Sequence, residues 1–141
     1  MFTGIVQTTG RLDALTPTDF GLQLAINLRG WRPQGFPIQA GDSICVSGVC
    51  LTVVALENDL LRFDVVTETL RKTKLGRLQQ GTRVNLEPSV TPNQPLGGHF
   101  MQGHVDGVGQ VTQVQSSGGD WRVRIAPPAD LMSYMVPKGS V

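Results

Sequence analysis

The residues of this sequence that could do chemistry are few. Cys50 has the side chain of a nucleophile, and His104 could serve as its base if the fold brought the two together. Ser43, Cys50 and Thr52 are small polar residues within the apolar run 41–54, a composition typical of a lined pocket rather than of a plain core strand. The alternatives stay open at this point: Ser43 can simply end a strand, and Cys50 can be a small core residue.

Metal binding is not expected from these residues. Cys45, Cys50, His99 and His104 are nominal zinc ligands, but two cysteines separated by four residues on a strand have a poor spacing for a shared metal. If that strand were regular, the two cysteines would point to opposite faces, so a disulfide between them is not expected either. Unpaired thiols favour a reducing, cytoplasmic location.

The secondary structure predicted around these residues indicates an all-β protein. A hydrophobic fraction of 40% can form a core, and 17 glycines and nine prolines indicate many turns. The run 41–54 predicts two strand segments that meet at a kink, and 29–41 reads as a loop. One short helix is expected over Thr67–Gly76, capped by Thr67 and ended by Gly76. The remaining strands are predicted at 3–15, 20–28, 60–66 and 83–86, which together favour a small closed barrel.

Several classes of function are disfavoured. A formal net charge of +1 provides no field for nucleic acid or anionic lipid, and no paired stacking aromatics are present. No apolar run approaches the ~18 residues of a membrane helix, and no signal peptide or phosphate-binding loop is visible.

The start of the chain is repeated. Residues 1–12 match residues 100–111, with glycines on glycines, and Ser43-Ile44 finds a counterpart in Ser140-Val141. A repeat of this length predicts a duplicated barrel. We therefore expect a first barrel over 1–90, a linker over 91–98 and the N-terminal part of a second barrel over 99–141. The second copy stops about halfway, which predicts either a fragment of a two-barrel protein or completion by another chain.

Four stretches resemble riboflavin synthase, of the alpha-chain type built from lumazine-binding repeats: 1–6, 41–53, 68–76 and 97–107. The resemblance implies two six-stranded Greek-key barrels per subunit, trimers, and no metal or organic cofactor. It also implies the reaction: two molecules of 6,7-dimethyl-8-ribityllumazine exchange a four-carbon unit and give riboflavin and 5-amino-6-ribitylaminouracil.

The same resemblance implies the site residues. Catalytic roles fall to His104, as proton shuttle, with Ser43 and Cys50 as polar partners. One pocket is expected from the first barrel and a second from Gly103-His104-Val105 with Lys138. The implied substrate-binding residues are Phe2, Gly4, Ile5, Val6, Cys50, Leu51, Thr52, Asp64, Val65, Val66, Thr67, Glu68, Thr69, Gly103, His104, Val105 and Lys138.

Two alternatives remain: a lumazine-binding protein without turnover, and an inactive binding fragment of the synthase that pairs as a dimer. The resemblance also implies riboflavin as a bound product and lumazine synthase as a partner. Because turnover needs contacts from a complete second barrel, we expect little or no activity from these 141 residues alone.

Overall fold

Six antiparallel strands close into a barrel in the first part of the chain. The computed structural model describes residues 1–33 and 37–141, and these fall into two compact units, Met1–Val105 and Asp106–Val141. The barrel strands are β1 (Thr8–Thr18), β2 (Gly21–Asn27), β3 (Ser43–Val46), β4 (Val49–Glu57), β5 (Leu60–Val66) and β6 (Arg83–Pro88). Their order around the barrel is β1-β2-β5-β4-β3-β6, and β6 pairs with β1 to close it. The predicted all-β, six-stranded barrel with one short helix is confirmed.

The period-two alternation of the strands explains why the barrel forms. Leu24 and Ile26 of β2 and Leu61 and Phe63 of β5 are fully buried. The alternate positions Arg62 and Asp64 of β5 are not buried, whereas Ala25 of β2 is also buried. Burying each such side chain contributes roughly 1.5–3 kcal/mol. The strands β2 to β5 have the spatial order 2-5-4-3, which is a Greek key.

The first strand begins later than predicted, at Thr8 instead of residue 3. Gly4 adopts a left-handed backbone conformation, with φ of +81°, and of the residues that precede β1, Gln7 still donates its amide to the Leu86 carbonyl, at 3.0 Å. Residues 34–36 of the predicted 29–41 loop lie outside the described residues.

The run 41–54 forms a tight hairpin. Ser47 and Gly48 have φ of +51° and +93°, which is typical of a two-residue turn with both central residues left-handed. The chain therefore reverses at Ser47-Gly48 instead of kinking, and Cys45 lies directly opposite Cys50 across the two strands. The expectation that the cysteines point to opposite faces of one strand is wrong, because they lie on two strands.

The helix is shorter than predicted. Helix α1 spans Thr67–Lys72, and a 3₁₀ turn follows over Lys74–Arg77. Thr73 interrupts the helix. Its backbone is extended, and its hydroxyl accepts a hydrogen bond from the Leu75 amide at 3.2 Å. Thr67 does not cap α1; its hydroxyl donates to the Phe20 carbonyl instead. Gly76 lies inside the 3₁₀ turn, so it is not the residue that ends the helix.

The second unit begins with a hairpin that copies β1–β2. It pairs β7 (Gln110–Ser117) with β8 (Asp120–Ala126), and a 3₁₀ turn follows over Ala129–Tyr134. Its register shifts between Val111 and Gln113, the positions equivalent to Leu12 and Ala14, where β1 shifts. A two-stranded sheet with the same irregularity supports the start of a further barrel. The assignment of 1–90, 91–98 and 99–141 to barrel, linker and second lumazine-binding barrel stays a prediction.

Within the described ranges, the structure has no helix that is both long and apolar enough to cross a bilayer.

Candidate functional site

A cavity of about 230 Å³ opens on the outer face of the barrel, beside β4 and α1. We call it the Cys50 cavity. The side chains of β4 alternate, so Val49 and Leu51 point into the core while Cys50 points out and is half-buried. The cavity is lined by Val49, Cys50, Glu68, Thr69, Lys72, Thr73, Gly103, His104 and Val105.

The segment 103–105 forms one wall of this cavity. The Cys50 amide donates to the Gly103 carbonyl at 2.8 Å, which fixes the segment against β4. Gly103 has φ of +75°, and a Cβ at this position would lie 2.8 Å from the Cys50 nitrogen, so only glycine fits. Val105 packs against the hydrophobic core, and His104 lies between these two anchors, at the cavity.

Helix α1 forms the opposite wall with polar side chains. Glu68 makes ion pairs with Lys72, at 3.0 Å, and with Arg71. Hydrogen bonds from Lys72 and then Arg71 hold the pKa of the Glu68 carboxyl below its usual range. The Thr73 hydroxyl donates to the Thr69 carbonyl at 2.7 Å and ties the end of α1 to the 3₁₀ turn. A carboxylate, a hydroxyl and an ammonium group on one wall suit a ligand that carries several hydroxyls.

Because the pKa of Glu68 is lowered in the folded state, its ion pairs support α1 above the ordinary carboxyl pKa of 4.5 and are lost as the pH falls through the folded value. We expect an NMR titration of the Glu68 carboxyl to have its midpoint below 4.5. The variant Lys72→Met should move the midpoint back up, and high salt should do the same because the pair is exposed. A wild-type midpoint at or above the ordinary value would contradict these pairs.

A second cavity, of about 310 Å³, lies beside the first and shares Gly103 with it. We call it the Cys45 cavity. Gly4 and Val6 line it together with Cys45, Ser47, Gly48, Asn85, Leu86, Glu87, Met101 and Gly103. The two cavities therefore flank the Cys45–Cys50 pair on the outer face of the hairpin.

Glu87 anchors the N-terminal segment at the Cys45 cavity. It is only 4% exposed, and its carboxylate accepts the Thr3 amide at 2.5 Å, the Thr3 hydroxyl at 2.7 Å and the Gly4 amide at 3.2 Å. The sequence interpretation missed this residue. The available signal was a lone carboxylate in a strand, one residue after the inward-facing Leu86 and just before Pro88.

The two copies of the repeat meet at equivalent residues. Phe2 donates its amide to the Met101 carbonyl at 2.7 Å, and Met101 donates its amide to the Phe2 carbonyl at 3.1 Å. In the repeat, Phe2 corresponds to Met101 and Gly4 corresponds to Gly103, and both glycines are left-handed. The segment 103–105, expected in a second pocket, therefore lies against β4 of the first barrel, while 4–6 lies at the neighbouring cavity.

The structure brings some of the predicted site residues together. Cys50, Glu68, Thr69 and 103–105 line the Cys50 cavity, and Gly4 and Val6 line the Cys45 cavity. Ser43 and Thr52 are a directly opposed pair on the same outward face, two positions along the hairpin from the cysteines.

Other predicted residues lie elsewhere. The side chains of Phe2, Leu51 and Val65 are buried, and Asp64 accepts a hydrogen bond from Gln23. Ile5 and Val66 are about half exposed, Thr67 is bonded to Phe20, and Lys138 belongs to the second unit. The roles assigned to the site residues stay predictions. In the part of the chain that the structure describes, no three His, Cys, Asp or Glu side chains are grouped so as to hold a metal ion.

A family model of the lumazine-binding domain matches residues 3–89. The chain belongs to this family. Over its whole length it is 37% identical to the riboflavin synthase of Bacillus amyloliquefaciens, of which it covers 64%, and 40% identical to that of Mycobacterium tuberculosis, of which it covers 69%. The resemblance to riboflavin synthase is thus confirmed, and the chain spans about two thirds of the length of these relatives.

Solved structures of a lumazine-binding protein share the architecture. The crystal structure of LumP with 6,7-dimethyl-8-(1'-D-ribityl) lumazine matches 96% of this chain at 27% identity and a TM-score of 0.73, and 71% of the LumP chain is covered. LumP with riboflavin matches with a TM-score of 0.75. The relatives and these structures together support a function of the riboflavin synthase or lumazine-binding type.

Proposed function

We propose that the chain binds 6,7-dimethyl-8-ribityllumazine in the Cys50 cavity and takes part in the riboflavin synthase reaction. The observation that carries this proposal is the bond from the Cys50 amide to the Gly103 carbonyl. It places His104, the candidate proton shuttle, at the same cavity as Cys50 and the polar wall of α1.

The lining of the cavity suits the two parts of this ligand. Cys50 and Val105 offer a largely apolar surface for the flat ring system, and Glu68 and Thr69 offer hydrogen-bond partners for the ribityl hydroxyls. At about 230 Å³ the cavity falls below the ~300 Å³ at which ligand pockets usually begin. It would cover part of a lumazine and leave the rest open to a second ligand molecule.

The proposed chemistry needs proton transfers. A proton leaves an acidic methyl group of one lumazine, a nucleophile such as water adds to the other, and the four-carbon unit then moves between them. An imidazole titrates near pH ~6.5 and can both take up and release these protons. We assign this role to His104, with Cys50 as its polar partner; Ser43 lines neither cavity, and its predicted role as a polar partner stays a prediction. Turnover also needs a site for the second lumazine. Trimer formation, a partnership with lumazine synthase and a cytoplasmic location stay predictions.

A non-catalytic role in ligand binding is the second candidate. It is favoured by the match to LumP complexes with lumazine, riboflavin and flavin mononucleotide.

The test adds the lumazine to the purified protein, measures binding by the change in ligand fluorescence, and follows riboflavin by its visible absorbance. We expect binding, and slow riboflavin formation that His104→Gln abolishes while affinity is largely kept. Asp19→Asn, on a residue outside both cavities, is the control. Binding without any riboflavin would assign a binding role alone to these 141 residues by themselves, and absence of lumazine binding would refute both candidates.

A further inference from the structure

Cys45 and Cys50 are directly opposed on the hairpin β3–β4, and both thiols are free and half-buried. They lie on the outer face of the barrel, because their neighbours Ile44, Val46, Val49 and Leu51 point into the core. Each thiol lines a cavity: Cys50 the one beside α1, and Cys45 the one beside the N-terminal segment. No step of the proposed reaction uses Cys45.

The backbone hydrogen bonds of the hairpin show whether Cys45 and Cys50 are a hydrogen-bonded or a non-hydrogen-bonded pair. The Cys50 amide donates to Gly103, on the side of β4 away from β3, and not to Cys45. Val46 and Val49 flank the two-residue turn, so the next pair along the hairpin, Cys45 and Cys50, is a non-hydrogen-bonded pair. Its Cα atoms are therefore about 4.5 Å apart, within the range of ~4.4–6.8 Å that a disulfide spans.

We propose that Cys45 and Cys50 are a redox modification site that forms a reversible intramolecular disulfide with a peroxide as oxidant. In the first step the Cys50 thiolate attacks the peroxide; its sulfur becomes a sulfenic acid, and the peroxide oxygen that leaves becomes water. In the second step the Cys45 thiol attacks the sulfenic sulfur, the S–S bond forms and a second water leaves. Two thiols are oxidised and one hydrogen peroxide is reduced.

The environments of the two sulfurs favour this order of attack. Cys50 opens to the Cys50 cavity, where a small peroxide can approach. Burial raises the pKa of the Cys45 thiol, which makes Cys45 the weaker first nucleophile and leaves it the resolving role.

The disulfide would also change the Cys50 cavity, because it removes the Cys50 thiol from the wall and turns the sulfur toward β3. We expect the oxidised protein to bind the lumazine at least about tenfold more weakly than the reduced protein. This consequence rests on the proposed function, whereas formation of the disulfide does not.

The experiment treats the folded protein with hydrogen peroxide near stoichiometry, alkylates the remaining thiols and measures the intact mass. We expect a monomer that has lost two hydrogens and carries no alkyl group, and dithiothreitol should restore two alkylatable thiols. The variants Cys45→Ser and Cys50→Ser are matched controls. Cys45→Ser should instead give a sulfenic acid at Cys50 that dimedone traps, or a disulfide between two chains.

Two results would overturn the proposal: two alkylated thiols after peroxide treatment, or loss of two hydrogens within a monomer of Cys45→Ser. Lumazine titration of the oxidised and reduced protein tests the consequence for binding. Equal affinities of the oxidised and reduced protein would refute the effect of the disulfide on lumazine binding. A reduced protein that binds no lumazine would refute the proposed function, while the disulfide detected by mass would still stand.

Discussion

Replacing Gly103 with alanine is expected to displace the segment 103–105 from β4 and to lower the free energy of unfolding of the barrel by about 2–4 kcal/mol. The residue has φ of +75°, a conformation that side-chain-bearing residues adopt at a cost. An added Cβ would also lie 2.8 Å from the Cys50 nitrogen, and backbone cannot move aside as a flexible side chain can. Both effects act on the hydrogen bond that brings His104 to the Cys50 cavity.

Chemical denaturation and lumazine titration of the same variant check this prediction, and we expect lumazine affinity to fall at least about tenfold. Gly97→Ala is the matched control. Its Cβ would be 3.6 Å from the Ile5 Cδ1 atom, an ordinary contact, so its stability should stay within about 0.5 kcal/mol of the wild type. A Gly103→Ala protein with wild-type stability and binding would show that the segment does not form the cavity wall.

Replacing Glu87 with alanine is expected to cost about 2–3 kcal/mol of unfolding free energy and to release the N-terminal segment. The carboxylate accepts three hydrogen bonds, two from the Thr3 amide and hydroxyl and one from the Gly4 amide. Hydrogen bonds to a charged group are stronger than neutral ones, and alanine leaves all three donors without this partner. Hydrogen exchange at the Thr3 and Gly4 amides should accelerate together with the loss of stability.

Two variants bracket the Glu87 result. Glu87→Gln keeps the shape and one acceptor oxygen but places an NH₂ group toward the donors, so its loss should be smaller, about 1 kcal/mol. Glu57→Ala removes an exposed carboxylate whose contact with Arg62 is 3.5 Å long, and its effect should stay near zero. Equal stability of the Glu87→Ala and Glu57→Ala proteins would contradict the anchoring role of Glu87.

Local patterns predicted much of the barrel. The strand Leu60–Val66 was predicted to the residue, and β2 to within one residue at each end, because their alternation repeats over a whole strand. The hairpin β3–β4 was misread at Ser47-Gly48. Gly48 interrupts the apolar pattern of this run, which indicates a kink. The chain reverses there because Ser47 is left-handed as well as Gly48.

The candidate site was harder to predict, because its walls come from residues far apart in the chain. The segments 4–6 and 103–105 carry the same pattern, so the sequence does not tell which of them pairs with β4. The bond between Cys50 and Gly103 settles the choice in the structure. Glu87 was missed for the same reason, since its partners Thr3 and Gly4 lie at the other end of the barrel sequence.

Because Phe2 and Met101 hold each other through reciprocal hydrogen bonds, the two copies of the repeat are not structurally independent modules. Part of the wall of the Cys50 cavity is encoded in the second copy, so selection on the proposed ligand binding would act on both copies at once. A recombination event that joined barrels from two different genes would separate a cavity from its own wall. The duplicated halves are therefore expected to be inherited and to evolve as one unit.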